Sequence, residues 1–470
     1  MRRSSLLPGS VLLMMASLFA GGCASSAGPD SPGTPVQGAS AAEVASRAMS
    51  REEAVQIFDS AWSRIGNSYY DTTFGGRSWD GVREEFLPRA EAAGTEARLR
   101  DVIQDMLDGI GDSHFALIPR EAADALDPSA IAAGTSDIGV PGDLGMEVRV
   151  LEGMVTVVRV EEDSPAGAAG VQPGWVLEAV GDRNLEEVLA TLRELEAPMQ
   201  RTLAQIQISV GVNGALQGPA GSELELTFQD SAGDSRTLTL TRREAPGELI
   251  RMGNLPALLA RLEYERVTTS AGCIGIIEMG IWLAPLAAAF DRAVNELRDC
   301  QGIVLDLRGN PGGGGGMVMG AAGHFVDEVV PLGIMQSRGM EMRFVTNPRR
   351  VDPQGNPVQV FGGPVAVLVD GLSMSTSEIF AAGMQSLGRA RIFGTPTPGQ
   401  ALPSALVRLP NGDVLQHAIA DFTTPDGTRI EGMGVIPDEE VPLTRELLLQ
   451  GGDPALDTAL RWIRGQAPTP

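Results

Sequence analysis

One segment of the sequence has the residue pattern of an activated serine. Residues Asp370–Glu378 follow an apolar run, Val365–Val369, that predicts a buried strand, and a helix is predicted from about Ser375. A serine at a strand-to-helix turn has an exposed hydroxyl, and the adjacent helix N-terminus favours developing negative charge. Ser375 is therefore a candidate nucleophile. Ser375 with Glu378 three positions later is also the pattern of a plain helix-capping box, so this segment alone leaves both interpretations open.

A glycine-rich loop, Asp306–Gly316, follows a second predicted buried strand, Gly302–Leu307. Backbone N–H groups of such a loop can bind an anion. A phosphate-binding P-loop requires a lysine after its glycines, and this sequence contains no lysine, so all 36 of its Lys and Arg side chains are arginines. An oxyanion hole for a tetrahedral intermediate fits this loop better than a phosphate site. A flexible turn is the alternative.

Three histidines could supply a general base, because imidazole titrates near neutral pH. His114 ends the turn Gly111–His114, His324 is predicted inside a helix, and His417 lies on a predicted strand. A lone histidine is more often structural than catalytic. These histidines are widely separated and only two cysteines follow the first 23 residues, so no metal-ligand spacing is present and no metal or cofactor is expected.

The elements around these residues predict a multidomain α+β protein. A chain of 470 residues exceeds one ordinary core, since domains average about 150 residues. Residues 50–125 have helical periodicity and form a predicted N-terminal helical domain, which begins with the capping box Ser50-Arg51-Glu52-Glu53. Residues 265–450 alternate strand and helix, which predicts a largely parallel sheet covered by helices.

Residues 137–243 are β-rich and resemble a PDZ domain of the bacterial protease type. The resemblance rests on the order of predicted strands, on Ser164–Val171 and on the segment 173–177. It implies a carboxylate-binding loop at Gly142–Met146, with the backbone of Leu144, Gly145 and Met146 holding a peptide that adds as a strand. The sequence departs from this type at Trp175, where Asp is usual, and in a stretch at about 194–219 that reads as an insertion.

Together these motifs resemble peptidases of family S41, the C-terminal-processing and tricorn proteases, over about residues 50–450. The helical segment ending in Asp-Ser-His, the PDZ-like unit, the glycine loop, the Ser-x-Ser-x-Ser-Glu motif and the final Gly432–Asp438 segment occur in the family order. The resemblance implies a ClpP/crotonase-like α/β core and Ser375 as nucleophile. It also implies an oxyanion hole built from the N–H of Thr376 and that of Gly312 or Gly313.

The resemblance offers two solutions for the base. The processing peptidases use a Ser–Lys dyad, but Gln400 stands at the position of that lysine, and an amide is not a useful base. The tricorn-like branch uses Ser-His-Glu and a second serine. In this chain the matching residues are His114 as general base, with Glu431 and Ser113 as supporting groups whose contacts the sequence does not assign.

These features predict an extracytoplasmic serine endopeptidase that acts on polypeptides. The alternative is a catalytically inactive peptide-binding lipoprotein on the same scaffold, which Gln400 favours and the retained Ser113, His114 and Glu431 disfavour. A scaffold that binds small apolar ligands is a third possibility that no residue demands. The net charge of −24 argues against nucleic acid as a partner.

The N-terminus predicts export. Residues 1–23 have a charged start and a short apolar run, and Ala20-Gly21-Gly22-Cys23 resembles a lipobox with Cys23 as the lipidated residue, although Leu is usual in place of Ala20. Membrane contact is expected only through this anchor, and ordinary signal cleavage is the alternative. Residues 24–49 read as a flexible linker. Outside the cytoplasm Cys273 and Cys300 could form a disulfide, or they could be unpaired buried thiols.

Overall fold

The computed structural model describes residues 47–124, 139–196, 198–251, 257–269 and 272–466. The predicted signal peptide, with Cys23, and nearly all of the predicted linker lie outside the described residues. No helix in the described ranges is long and apolar enough to cross a membrane.

The N-terminal part is helical, as its periodicity predicts. Ser50 begins the first helix as a capping box, because its hydroxyl accepts from the N–H of Glu53 and the Glu53 carboxylate accepts from the N–H of Ser50. The buried faces of these helices share one core with Leu402, Leu409 and Leu415 from far along the chain. The elements are α1 Arg51–Ser68, α2 Trp79–Glu91, α3 Glu96–Asp108, β1 Ala116–Ile118 and α4 Arg120–Asp124.

The next part is β-rich and antiparallel, with the strand order β3-β4-β5-β8-β9 and β3 at one edge. Its apolar core includes Trp175, which packs edge-on against Phe228. Most of the stretch 194–219 is one helix, α7. The elements are β2 Pro141–Asp143, β3 Met146–Leu151, β4 Met154–Val160, α5 Pro165–Ala168, β5 Val176–Val180, β6 Arg183–Asn184, α6 Glu186–Arg193, α7 Pro198–Leu216, β7 Gly218–Pro219, β8 Glu223–Gln229, β9 Ser235–Thr241 and β10 Arg243–Glu244.

The last part is built on the sheet β13-β14-β15-β18-β19-β23, which is parallel except for the antiparallel pairing of β13 with β14. Its remaining strands pair in smaller sheets. The elements are β11 Glu248–Ile250, β12 Leu258–Ala260, β13 Leu262–Thr269, β14 Gly272–Met279, α8 Ala287–Glu296, β15 Gly302–Asp306, α9 Met317–Ala322, β16 Pro331–Ser337, β17 Met340–Val345, β18 Val365–Val369, α10 Thr376–Ser386, β19 Ala390–Gly394, β20 Ser404–Arg408, β21 Val414–Ala418, β22 Ala420–Thr423, β23 Glu439–Glu440, α11 Arg445–Leu449 and α12 Pro454–Gln466.

The central strands β15 and β18 read as continuous apolar runs because both faces of the sheet are covered. Phe290 and Phe380 belong to the cluster on one face, and Ala459 and Ile463 to the cluster on the other. The helix that was predicted to contain His324 is α9, and it is shorter than expected. It ends at Ala322, so His324 lies in the turn after it and not inside it.

Cys273 and Cys300 form a disulfide, which decides between the two alternatives that the sequence left open.

The sheet topology brings the glycine loop and the Ser375 turn together. Strands β15 and β18 are parallel neighbours, with Leu305 opposite Val367. The glycine loop leaves the C-terminal end of β15, and the Ser375 turn leaves the C-terminal end of β18. Loops that follow adjacent parallel strands emerge at the same edge of a sheet, which is where α/β proteins place their sites.

Candidate active site

Ser375 occupies the sharp turn between β18 and α10. Its backbone angles are φ 55° and ψ −114°, a conformation that residues with a side chain rarely adopt. The N–H of Ser375 lies 3.0 Å from Oε2 of Glu378 and 3.0 Å from the carbonyl oxygen of Gln400, which hold the turn from two sides. Strained backbone of this kind persists only where its surroundings hold it, and it is concentrated at functional sites.

His114 reaches this serine from the N-terminal part of the chain. Its Nε2 atom lies 3.2 Å from Oγ of Ser375, and its Nδ1 atom lies 2.7 Å from Oγ of Ser113. The Ser113 hydroxyl is in turn 3.0 Å from Oε2 of Glu431. The structure thus joins four predicted residues into a chain of contacts in the order Glu431, Ser113, His114, Ser375.

The proton positions in this chain follow from the donors available. The Glu431 carboxylate can only accept, so the single hydrogen of the Ser113 hydroxyl is directed to it. The Ser113 oxygen then accepts from Nδ1–H of His114. This leaves Nε2 as the nitrogen with a free lone pair, facing the Ser375 hydroxyl.

Burial shifts the pKa values of His114 and Glu431. Burial lowers the pKa of His114 to about 4, because the cation is desolvated, so the imidazole is neutral near pH 7. Burial also raises the pKa of Glu431 above its usual value. The N–H groups of Ser113 and Ala401 and the Ser113 hydroxyl oppose that rise by donating to the Glu431 carboxylate.

The glycine loop lies directly against the serine turn. A Cβ atom added to Gly312 would lie 2.7 Å from Cβ of Ser375, so only glycine fits at this contact. The N–H of Gly312 donates to Oδ1 of Asn310 at 2.9 Å. The N–H groups of Gly313 and Thr376 have no hydrogen-bond partner within the described ranges. The Thr376 hydroxyl donates to the Gly313 carbonyl at 2.9 Å and holds the two residues together.

Three residues that organise the site were not assigned to it from the sequence. Asn310 is fully buried, and its carbonyl accepts from Met374 N–H and the Ser377 hydroxyl, which ties the glycine loop to the serine turn. Asp370 accepts from the N–H groups of Gly309 and Leu372. Asp370 also pairs with Arg149 of β3 at 3.2 Å. The available signals were that Asn310 lies within the glycine loop and that Asp370 directly follows the apolar run Val365–Val369.

Glu378 is the third such residue, and its role is larger than the cap that the sequence predicted. It is fully buried, and it accepts four hydrogen bonds, from the Thr397 hydroxyl and the N–H groups of Gly399, Gln400 and Ser375. Burial raises the pKa of Glu378 to about 7, against the effect of these donors. This carboxylate joins the serine turn to the 397–400 loop.

Other predicted residues lie outside the contact chain. Gln400 meets the serine turn through its backbone atoms. His324 bonds Asp291 and His417 bonds Ser68, each at 2.7 Å. Of the predicted peptide-binding loop, Leu144 and Gly145 direct their carbonyls to the N–H groups of Ala166 and Glu161, and Met146 begins β3.

Comparison with known proteins extends this picture. The model of peptidase family S41 matches residues 272–441, and the model of the tricorn protease C1 domain matches residues 50–108. The chloroplastic carboxyl-terminal-processing peptidase 2 of Arabidopsis thaliana is 29% identical over 398 residues, which cover 82% of this chain and 68% of the relative. The carboxyl-terminal-processing protease of Picosynechococcus sp. is 27% identical over 405 residues, which cover 84% of this chain and 85% of the relative.

Among solved structures, the photosystem II D1 C-terminal processing protease is similar in fold. It superposes with a TM-score of 0.54 at 22% identity, and the match covers 87% of this chain and 96% of that one.

Proposed function

Since the chain belongs to peptidase family S41 and is a serine peptidase, we propose that it is an extracytoplasmic endopeptidase in which Ser375 is the nucleophile and His114 the general base. The observation that carries this proposal is the contact of His114 Nε2 with Ser375 Oγ at 3.2 Å. No lysine exists in the chain to form the alternative dyad. The catalytically inactive alternative has no support from the relatives, which are named as processing proteases.

In the first half of the reaction, Ser375 Oγ attacks the scissile carbonyl carbon while its proton passes to Nε2 of His114. The new C–O bond gives a tetrahedral intermediate with a negative oxygen. His114, now a cation, returns the proton to the leaving nitrogen as the C–N bond breaks, which leaves an acyl-Ser375 ester. The Ser113 hydroxyl oxygen accepts from Nδ1–H throughout, and Glu431 holds that hydroxyl. The Glu431 charge stabilises the transient imidazolium.

In the second half, water replaces the leaving amine. His114 Nε2 takes a proton from the water as its oxygen attacks the ester carbonyl. The proton then returns to Ser375 Oγ as the ester C–O bond breaks, which releases the new carboxyl terminus and restores the free enzyme.

The oxyanion hole is proposed at the N–H groups of Gly313 and Thr376. Both lack a partner within the described ranges. Thr376 directly follows Ser375, and its hydroxyl bonds the Gly313 carbonyl. Of the two glycines that the sequence offered, Gly312 is the weaker donor because its N–H is bound to Asn310. Gly312 instead allows the glycine loop to approach Ser375 closely.

The remaining parts of the proposal concern layout and location. We place a helical domain at 50–125, a PDZ-like domain at 137–243 with a peptide-binding loop at Leu144, Gly145 and Met146, and the peptidase core at 265–450. The export signal at 1–23, with lipidation at Cys23, would anchor the enzyme in the cell envelope. Polypeptides cut near their C-termini are the proposed substrates, by analogy with the names of the relatives.

The test is labelling of the purified chain with a fluorophosphonate probe, which esterifies an activated serine. Wild type should label, and Ser375→Ala and His114→Ala should not. Full labelling of His114→Ala would refute the assigned base. Absence of labelling in the wild type at all pH values would refute the proposal. In that case Ser375→Ala would only destabilise a helix cap, by about 1 kcal/mol.

A further inference from the structure

Helix α7 is buried on three sides of its circumference. Ile208, Val212 and Leu216 recur at helical spacing and pack into the core of the β-rich unit. Ser209 and Asn213 point to a second side, and Ile206 and Val210 to a third. A helix with this many buried sides is held by its neighbours and is not a loose insertion.

The second side of α7 covers the free edge of strand β3. Oδ1 of Asn213 accepts from the N–H of Val148 at 3.0 Å, and Nδ2 of Asn213 donates to the Val148 carbonyl at 2.8 Å. The Ser209 hydroxyl accepts from the N–H of Val150 at 3.0 Å. Residues 148 and 150 are two apart, so their backbone groups point out of the same edge of the sheet.

These backbone groups are the ones that an added peptide strand would bind. Strand addition at a sheet edge uses outward N–H and C=O groups of alternate residues. The side-chain amide of Asn213 presents one acceptor and one donor, as a peptide unit does. Helix α7 therefore takes the place of an external peptide at the edge of β3.

The third side of α7 reaches the active site. Ile206 and Val210 form a buried apolar cluster with Leu372 and Met374. Both partners belong to the serine turn, and Met374 is the residue before Ser375. One helix therefore contacts the β3 edge and the catalytic turn at once.

We propose that α7 occupies the groove along the free edge of β3, where a peptide strand would otherwise bind (the β3 groove). The same helix braces the serine turn, so that Ile206 and Val210 are positioning residues for Ser375. A substrate terminus can then add as a strand at β3 only if α7 moves away, and the serine turn then loses its packing against α7. The bracing part of this inference rests on the proposed peptidase function. The occupancy of the groove rests on the proposed peptide-binding loop beside β3 and not on catalysis.

The groove is tested without turnover, in a Ser375→Ala background. A short fluorescein-labelled peptide with a free apolar C terminus is titrated into that chain and into the same chain with Ser209→Ala and Asn213→Ala. Opening the groove should tighten binding by at least ~10-fold, because occupancy by α7 lowers the fraction of molecules able to bind. Equal affinity of the two chains, or binding by neither, would overturn the proposed occupancy.

Hydrogen exchange gives a second measurement on the unaltered chain, in case the double variant does not fold. The amides of Val148 and Val150 should exchange as slowly as those of β4, which has a neighbouring strand on both sides. Fast exchange at both positions would show that α7 does not cover the edge.

The brace is tested by Ile206→Ser and Val210→Ser, with Thr202→Ala on the exposed side of α7 as the control. The rate of fluorophosphonate labelling should fall at least ~10-fold in the first two variants at a temperature where all are folded, and exchange at the Ser375 turn should accelerate. The control should match wild type. Unchanged labelling and unchanged exchange would overturn the bracing role, whereas failure of wild type to label is a failure of the proposed function.

Discussion

The hydroxyl oxygen of Ser113 lies 2.7 Å from Nδ1 of His114 and 3.0 Å from Oε2 of Glu431. In the familiar serine-protease triad the carboxylate contacts the imidazole directly. Here Glu431 acts on the imidazole through one hydroxyl group, and its charge is separated from the ring by that group. The hydroxyl fixes the tautomer, and the carboxylate fixes the hydroxyl.

Ser113→Ala should therefore lower kcat by roughly 10- to 100-fold, which is the range found when a hydrogen-bond partner that orients a metal-ligating histidine is removed. KM should change little, because Ser113 does not face the substrate side of the imidazole. Steady-state kinetics on a short peptide ester measure both constants.

Ser113→Thr keeps the hydroxyl and is the matched control, which should recover most of the lost activity. If Ser113→Ala kept wild-type kcat, the hydroxyl would not be orienting His114.

Gln400→Ala should leave the fluorophosphonate labelling rate within about threefold of wild type. Its contacts with Ser375 and Glu378 use backbone atoms, which the substitution retains. His114→Ala, at the other candidate base position, should abolish labelling. A loss in Gln400→Ala comparable to that in His114→Ala would mean that this amide side chain takes part in the reaction.

The pKa of His114 can be measured directly, because the chain contains only three histidines. NMR of the imidazole Cε1–H groups, with His114→Ala to assign the signal, should find no titration of His114 between pH 8 and 5. Burial lowers this pKa to about 4 from an ordinary value of 6.5.

The lowered pKa of His114 also determines how this residue makes the stability of the fold depend on pH. Between pH 6.5 and 4 the unfolded chain binds this proton and the folded chain does not, so this histidine contributes a loss of stability as the pH falls. A titration midpoint near 6.5 would mean that the imidazole is hydrated and that the site is more open than the structure indicates.

Glu378→Gln should destabilise the chain by about 2–4 kcal/mol at pH 8 and slow labelling of Ser375. All four partners of this carboxylate are hydrogen-bond donors. The amide nitrogen of glutamine is also a donor and cannot accept a hydrogen bond. Buried donors would therefore lose their acceptor. Urea unfolding gives the free energy of unfolding.

Glu265→Gln, at an exposed position on β13, is the control and should be neutral. Equal stability of Glu378→Gln and Glu265→Gln would show that Glu378 does not have the structural role assigned to it.

Much of the framework was predictable because it depends on local patterns. The runs at 302–307 and 365–369 are apolar enough to predict buried strands, and the helices of the N-terminal part follow their apolar spacing. Helix α7 was not predicted, because a helix buried on three sides shows no single apolar stripe. Seven of its positions are buried or hydrogen-bonded, and the reason for each residue type is clear only when β3 and the serine turn are seen beside the helix.

By itself, the sequence determined which catalytic mechanisms are possible for this chain. The absence of lysine excludes a Ser–Lys dyad in any conformation of this chain, and Ser375, His114 and Glu431 could be selected by type and motif. Only the tertiary structure decided how they connect. Ser113 and Glu431 lie 318 positions apart, and no local pattern specifies which side chains meet when two such distant loops pack together. The same packing binds the N–H of Gly312 to Asn310 and leaves that of Gly313 without a partner in the described ranges.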